Sequence, residues 1–425
     1  MSTLKKFLTY SKNIERSGAV WNMIASMLTA FQSVILLIVI THTVGLIPAG
    51  IYTIGNTNSN LFLSIGKYGV RQFQVSDIKR EFKFREYRIA RVVSLLLMTV
   101  ISCVYVLFVA NRNGYTVKKF WIVIWMCLFK LPDAFEDVYY GDYQKNNRLD
   151  VGSKALALRM IVTIILWMTI LIVTRDLLES VVISTIVTTL LMIWFIFLTR
   201  EYITETDIPS FSRVGKLLLV TFPLALASFL TLYVSAAPKN SIDAHLDDSL
   251  QAIYGFLSMP VFVVQLLVQF VFNPLLYKIS CIWDDKNIDE YLKETIKLIG
   301  VVIIITIFCL VGAWLLGVPV LSFIYNTDLK LYKLELMILM VGSGVLGFIS
   351  LMSSLLTVMR HQVLILIGYI IVSVIAFFFT DIAIIKYGIK GAAIFYLLLL
   401  IILVLIFTLG FIFYVIKERI NDDGI

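Results

Sequence analysis

Long apolar runs recur along the whole chain, and short polar stretches separate them. A helix of about 20 apolar residues crosses a bilayer core that is about 30 Å thick, and most of these runs reach that length. The chain of 425 residues is 60% hydrophobic and only 15% charged, which excludes a water-soluble globular protein of this size. The sequence therefore predicts a polytopic membrane protein.

The runs predict helices, because a chain in lipid must satisfy every backbone N–H and C=O internally and the runs are about twice as long as barrel strands. We expect an all-α fold with about 12 transmembrane helices. The predicted spans are 18–41, 47–69, 90–110, 119–140, 155–174, 179–199, 214–236, 250–277, 295–316, 334–358, 362–384 and 391–416. The first run has full spanning length and no small-residue cleavage site, so we expect it to remain as a helix.

The basic residues predict the orientation. Most of the 36 Lys and Arg residues fall in alternate connections, such as 70–89 and 278–294. Because positively charged loops stay in the cytoplasm, we expect both termini inside and the connection 237–249 outside. The net charge of +8 then reflects topology and attraction to anionic lipid headgroups, so no nucleic-acid partner is expected.

A polar stretch near the middle, REYITETDIPSFSR, divides the chain. We predict an N-terminal six-helix lobe at 1–199, a cytoplasmic linker at 200–213 and a C-terminal six-helix lobe at 214–425. The halves also align weakly, with Ile51-Tyr52 matching Ile253-Tyr254. Repeated helix bundles are how many transporters place two lobes around one central site.

Several stretches give the chain a family resemblance: SGAVWNMIASMLTAFQ, the segment 49–71, EDVYYGDYQKNNRLDVGSKALALR, VTFPLALASFLTLYV and YGIKGAAIFYLLL. Through them the whole chain resembles the Wzx-like polysaccharide exporters, which are flippases of the multidrug/oligosaccharidyl-lipid/polysaccharide (MOP) exporter superfamily. The resemblance implies a MATE-like fold, in which helices one, two, seven and eight line a central cavity with alternating access. It also implies a bacterial cytoplasmic-membrane flippase for a polyprenyl-pyrophosphate-linked oligosaccharide repeat unit, used for O-antigen, capsule or exopolysaccharide.

Such a cargo requires a hydrophilic cavity for sugars and basic groups for pyrophosphate. Asn56 and Asn60 share one face of helix two and are candidates to bind sugar hydroxyls, although polar contacts between helices are an equal alternative. Lys67 and Arg71 continue that helix and are candidates for the pyrophosphate. Snorkelling of their side chains to lipid headgroups is the alternative.

Helix four carries the densest polar feature. Its candidates are spaced as one helical stripe, in which we expect Lys130 and Asp133 to neutralise one another. The alternative is the wetted face of a helix that extends beyond the membrane. The stripe consists of Lys130, Asp133, Asp137, Tyr140, Gln144 and Arg148.

The remaining candidate substrate-binding residues lie on the other helices that the resemblance brings together. They are Asn22 and Gln32 in helix one, Lys239 in helix seven, and Gln265, Gln269 and Asn273 in helix eight. The three histidines are scattered and the four cysteines lack metal-ligand spacing, so no enzymatic activity, metal or cofactor is expected.

Two other functions remain as alternatives. A MATE-like small-molecule exporter, coupled to H+ or Na+, requires a carboxylate in its cavity; helices one and seven contain none, whereas helix four does. If the protein were a non-transporting scaffold, the polar side chains of the cavity helices would have no function, and burying them would be costly. For the flippase, the expected partners are the lipid-linked oligosaccharide, membrane lipid, a polysaccharide polymerase and a coupling ion.

Overall fold

A computed structural model describes residues 3–77, 79–204, 211–272 and 275–422. Within these ranges the chain is almost entirely helical and has no β-strand, as the sequence predicts. Eight of the described helical stretches are long and apolar enough to cross a membrane. The last of them, Gln362–Ile420, has 59 residues, which is sufficient for two crossings.

The chain forms two compact units, Met1–Leu232 and Tyr233–Ile425. The division lies within a long helix, C-terminal to the predicted linker, of which residues 205–210 lie outside the described part. The helices of the first unit are α1 Thr3–Thr9, α2 Ile14–Val44, α3 Leu46–Lys67, α4 Val70–Ser76, α5 Phe84–Asn113, α6 Val117–Phe129, α7 Leu131–Lys145, α8 Leu149–Thr174 and α9 Leu177–Leu198. The helix α10, Phe211–His245, begins in this unit and ends in the second.

Local chemistry fixes several helix ends in the first unit. The Asn13 side chain accepts a hydrogen bond from the Arg16 amide at 2.9 Å and caps α2. Asp176 caps α9 in the same way through the Leu178 amide at 2.8 Å. Gly114 ends α5 with a φ of 64°, a left-handed conformation that glycine adopts without strain.

The predicted fourth span is one helix by sequence but two helices in the structure. α6 ends at Phe129 and α7 begins at Leu131, with Lys130 at the junction. Pro132 has no amide hydrogen, so it cannot donate to the carbonyl one turn earlier. At the junction the Lys130 amide donates to the Cys127 carbonyl, three positions back, at 3.2 Å, which is a tighter turn than that of an α-helix. The prediction of one continuous helix over 119–140 is therefore wrong at Lys130, whereas the part of the stripe from Asp133 to Gln144 lies within α7 and Arg148 lies beyond its end.

The second unit contains α11 Asp248–Phe272, α12 Leu276–Asp284, α13 Ile288–Gly312, α14 Val318–Tyr325, α15 Lys333–Val358 and α16 Gln362–Asp422. α15 packs against α11, α13 and α16 and forms the centre of the unit. A short π-helical segment at Ala313–Gly317 joins α13 to α14, so this span, Ile288–Tyr325, is longer than the predicted 295–316. Gly388, with a φ of 58° and a ψ of −139°, interrupts α16 between the two predicted spans.

Candidate functional site: a charged cavity in the first unit

A polar cavity lies among α2, α3, α4, α7 and α8, with an empty volume of about 600 Å³ that includes the solvent at its mouth. Nine of the predicted site residues line it: Gln32, Asn56, Asn60, Lys67, Arg71, Lys130, Asp133, Asp137 and Tyr140. The structure thus gathers the polar residues of helices one, two and four into one place within a single unit.

One of two buried arginines beside the cavity is Arg159 of α8, whose side chain is only 1% exposed. Its guanidinium donates to Asp133 at 2.6 Å and to both carboxylate oxygens of Glu136, at 2.6 Å and 3.0 Å. The remaining terminal nitrogen donates to the Thr188 hydroxyl at 2.8 Å. This paired fork is the geometry in which arginine binds carboxylates most strongly. Asp133 and Glu136 are therefore held by a cation behind the cavity wall.

A second buried arginine, Arg91 of α5, holds the third carboxylate. Its Nη2 donates to Asp137 Oδ2 at 2.7 Å, and its Nη1 donates to the Gly66 carbonyl of α3. The other oxygen of Asp137 lies 3.6 Å from Arg71 Nη1. Arg71 also stacks over the Tyr140 ring, with 5.1 Å between the guanidinium carbon and the ring centroid.

The charges around the cavity do not cancel. The three carboxylates of Asp133, Glu136 and Asp137 face five cationic side chains. These are Lys67, Arg71, Arg91, Lys130 and Arg159. With every group ionised, two positive charges remain in excess.

Lys67 and Gln32 are among the hydrogen-bond donors of the cavity that remain available to a ligand. Lys67 makes no ion pair or hydrogen bond within the described residues, whereas Lys130 lies 3.4 Å from Asp133 as the sequence predicts. The Gln32 amide nitrogen is also without a partner there, although the residue is only 3% exposed. Unpaired buried donors of this kind are costly unless a ligand or water accepts from them.

The structure places the other predicted site residues elsewhere. Gln144 does not line the cavity, but its side-chain oxygen accepts a hydrogen bond at 3.1 Å from Arg71, which does. Arg148 is bound to Asp150 at 3.0 Å and to the Thr9 carbonyl at 2.6 Å, outside the cavity lining. Asn22 is half-buried and is also not part of the lining.

The other four candidates belong to the second unit. Lys239 in α10 and Gln265 in α11 are half-buried. The side chain of Gln269 and the whole of Asn273 lie outside the described residues.

Sequence reasoning missed three residues of the charge network, namely Arg91, Glu136 and Arg159. A usable signal existed, because all three lie inside predicted spans, where an ionisable side chain indicates a functional or paired group. Only their partners, which are distant in sequence, could not be identified without the fold.

No protein-family model matches this sequence. No curated protein matches it in sequence either. Solved structures match it in fold. The structure titled "Inward-facing conformation of a multidrug resistance MATE family transporter of the MOP superfamily" has a TM-score of 0.73 and 12% identity, covering 94% of this chain and 99% of the other.

The structure titled "Lipid II flippase MurJ, inward closed conformation" has a TM-score of 0.71 and 18% identity, covering 94% of this chain and 90% of the other. The MATE transporter VcmN of Vibrio cholerae, in its bent form, has a TM-score of 0.58 and 15% identity, covering 95% and 99%. At these identities the match shows the fold alone. The protein is a multi-pass, all-helical membrane protein with the fold of the MATE and MurJ transporters.

Proposed function

We propose that this protein is a flippase that moves a polyprenyl-pyrophosphate-linked oligosaccharide repeat unit across the bacterial cytoplasmic membrane by alternating access. The product is used for surface polysaccharide. The proposal includes cytoplasmic termini, a coupling ion (H+ or Na+) and a polysaccharide polymerase as the acceptor of the flipped unit.

The cationic excess of the first-unit cavity is the observation that carries this proposal. A diphosphate diester is a dianion, and the two excess positive charges match it. Arg91 and Arg159 hold the three carboxylates, so Lys67 remains available for phosphate oxygens. Arg71 is a second phosphate-binding candidate because its planar fork can bind two oxygens.

Amide side chains at the same cavity support a sugar-containing headgroup. Asn56 and Asn60 both line it, and Asn60 Nδ2 donates to the Asn56 backbone carbonyl at 2.9 Å, which orders this face of α3. Gln32 adds a donor that has no partner in the described part of the chain. The fold supports lipid-linked cargo as well, since one structural neighbour is a lipid II flippase.

A MATE-like, cation-coupled small-molecule exporter is the second candidate. The structure favours it in one respect, because the cavity contains the carboxylates that such coupling requires. A cationic cargo, however, would have to compete with Arg91 and Arg159 for those carboxylates and would meet a site with an excess of positive charge.

Deleting the gene tests the two functions against each other. If the protein is the flippase, surface polysaccharide is lost and the lipid-linked unit accumulates on the cytoplasmic leaflet. Radiolabelling of the lipid fraction, together with a sugar-specific probe in intact cells and in lysed cells, measures this. Normal polysaccharide with altered resistance to dyes or drugs would instead establish the exporter.

Complementation with point variants tests the cavity itself. Arg71→Ala and Lys67→Gln should each reduce surface polysaccharide strongly at unchanged protein level, and Arg71→Lys only partly, because lysine lacks the second donor. Lys118→Gln is the matched control, because Lys118 is an exposed cation outside the cavity lining, paired to Asp176 at 2.6 Å. Full activity of an Arg71→Ala, Lys67→Gln double variant would remove the cavity from the substrate path.

A further inference from the structure

A second, separate cavity lies at the start of α2, with an empty volume of about 1000 Å³ that includes open solvent. Its lining changes from cationic and polar to apolar along the helix. Six residues form it: Lys12, Asn13, Arg16, Ser17, Val20 and Trp21. Arg16, Ser17, Val20 and Trp21 lie on one face of α2, and Lys12 and the capping residue Asn13 immediately precede the helix. The change in polarity therefore follows the helix axis.

The two cations of this cavity are uncompensated. Within the described residues, neither the Lys12 side chain nor the Arg16 side chain makes an ion pair or hydrogen bond, and none of the six lining residues is acidic. Other basic side chains nearby are bound. Arg148 pairs with Asp150 at 3.0 Å, and Lys154 Nζ donates to the Tyr10 carbonyl at 2.8 Å.

The apolar end of the cavity is held in place by its neighbours. The Trp21 ring packs edge-on against the Phe7 ring, with centroids 5.6 Å apart. The Phe7 carbonyl in turn accepts from Lys154 at 3.1 Å, and Leu8 of α1 is fully buried. The segment that carries Phe7 is therefore docked on the first unit and supports the tryptophan from one side.

The order of polar and apolar side chains along α2 indicates the ligand of the cavity. α2 is a membrane span, and a tryptophan near the end of a span lies at the level of the lipid headgroups. Val20 is 43% exposed and lies one turn inside α2 from Arg16, toward the apolar part of the span, while Lys12 and Arg16 lie toward its polar end. A ligand with a phosphate at one end and hydrocarbon at the other fits this order of side chains.

We propose that this cavity binds an anionic phospholipid of the leaflet on the N-terminal side, with the phosphate between Lys12 and Arg16 and the acyl chains along Val20 and Trp21. Arginine binds phosphate oxygens in pairs, and lysine adds a point charge. The headgroup of a membrane lipid, rather than free phosphate, is the occupant because the apolar half of the cavity requires hydrocarbon. The site is independent of the transport function proposed above.

Titration of the purified full-length protein with fluorescent phosphatidylglycerol in detergent micelles tests the proposal. Each basic residue near an anionic lipid contributes a factor of about five in affinity, so the Lys12→Gln, Arg16→Gln double variant should bind about 25-fold more weakly. The control is Lys216→Gln, Lys417→Gln, which removes the same charge from exposed positions outside this cavity and should leave the affinity unchanged. Both double variants should unfold at the wild-type temperature.

Two further arms distinguish the sources of the phosphate. Phosphatidylcholine should bind weakly and equally to wild type and the double variant, because its headgroup has no net charge. Inorganic phosphate at millimolar concentration should not displace the lipid. Equal affinity of the two double variants, or displacement by inorganic phosphate, would overturn the assignment of an anionic lipid site.

Discussion

Arg159 shows how a single side chain determines what the first-unit cavity can bind. Its guanidinium makes three hydrogen bonds to Asp133 and Glu136 and a fourth to Thr188. Without it, two carboxylates would be left in a buried site, and Lys130 and Lys67 would be drawn toward them. The residue therefore stabilises the unit and also keeps lysine charge available to an anion.

Replacing Arg159 tests both roles. Arg159→Ala should lower the free energy of unfolding by about 3–5 kcal/mol, because it breaks a buried ion-pair network on one side. Thermal unfolding in detergent measures the loss. Adding Glu136→Gln to the Ala variant should recover part of the stability, since one unpaired charge is removed.

The matched control for this series is Lys118→Ala, which breaks an exposed pair with Asp176. It should cost at most about 1 kcal/mol. If the Arg159→Ala protein unfolded at the same temperature as this control, the stabilising role given to the Arg159 ion pairs would be wrong.

At the scale of elements, the turn between α4 and α5 is organised by one carboxylate. Asp77 accepts from the Glu81 amide at 2.8 Å, the Phe82 amide at 3.2 Å and the Tyr87 hydroxyl at 2.9 Å. Lys145 of α7 lies 3.5 Å away. Burial raises the Asp77 pKa, but these hydrogen bonds and the lysine outweigh it and hold the pKa below its ordinary value of 3.8.

The sign of this shift gives a pH prediction. Because the pKa is lower in the folded state, the ionised carboxylate stabilises the fold fully above pH 3.8, and the contribution is lost as pH falls below that value. Asp77→Asn should therefore lower stability at pH 7 by about 1–3 kcal/mol, with the difference from wild type shrinking below pH 3.8.

Thermal unfolding between pH 3 and pH 7 measures the Asp77 effect. Asp328→Asn, at an exposed position of the second unit, is the control and should keep the wild-type pH profile. A difference between Asp77→Asn and wild type that is constant with pH would contradict the role given to the ionised carboxylate.

The elements also show what could be predicted from the sequence. Apolar length alone predicted the all-helical fold. The i, i+4 spacing correctly placed Asn56 with Asn60, and the i, i+3 spacing correctly placed Lys130 with Asp133. The break at Lys130 follows from Pro132, although apolar length alone does not show it. Arg91 and Arg159 needed the fold, because their carboxylates lie 46 and 23 to 26 positions away in sequence. Arg148 had the right charge and spacing, but the Thr9 carbonyl and Asp150 occupy its guanidinium.

At the scale of the whole molecule, the orientation in the membrane remains a prediction that labelling can test. In a cysteine-free background, Asp247→Cys should react with an impermeant maleimide added to intact cells, because Asp247 lies in the short connection between α10 and α11, which is expected outside. Arg80→Cys should react only after the cells are opened. Labelling of residue 80 in intact cells would reverse the orientation of the whole chain.

The docking of the N-terminal segment has a consequence for how the protein is made. Thr9 and Tyr10 are bound by Arg148 and Lys154, across 139 and 144 positions of sequence. At a synthesis rate of 5–20 residues per second, the ribosome needs roughly 7–30 s to add those positions. During that time α2, the first membrane span, is already in the translocon or the bilayer, while α1, which precedes it, has no surface to bind. A chaperone or the membrane surface must then cover Phe7 and Leu8, and a fast-folding tag fused ahead of them would compete with the docking that completes the unit.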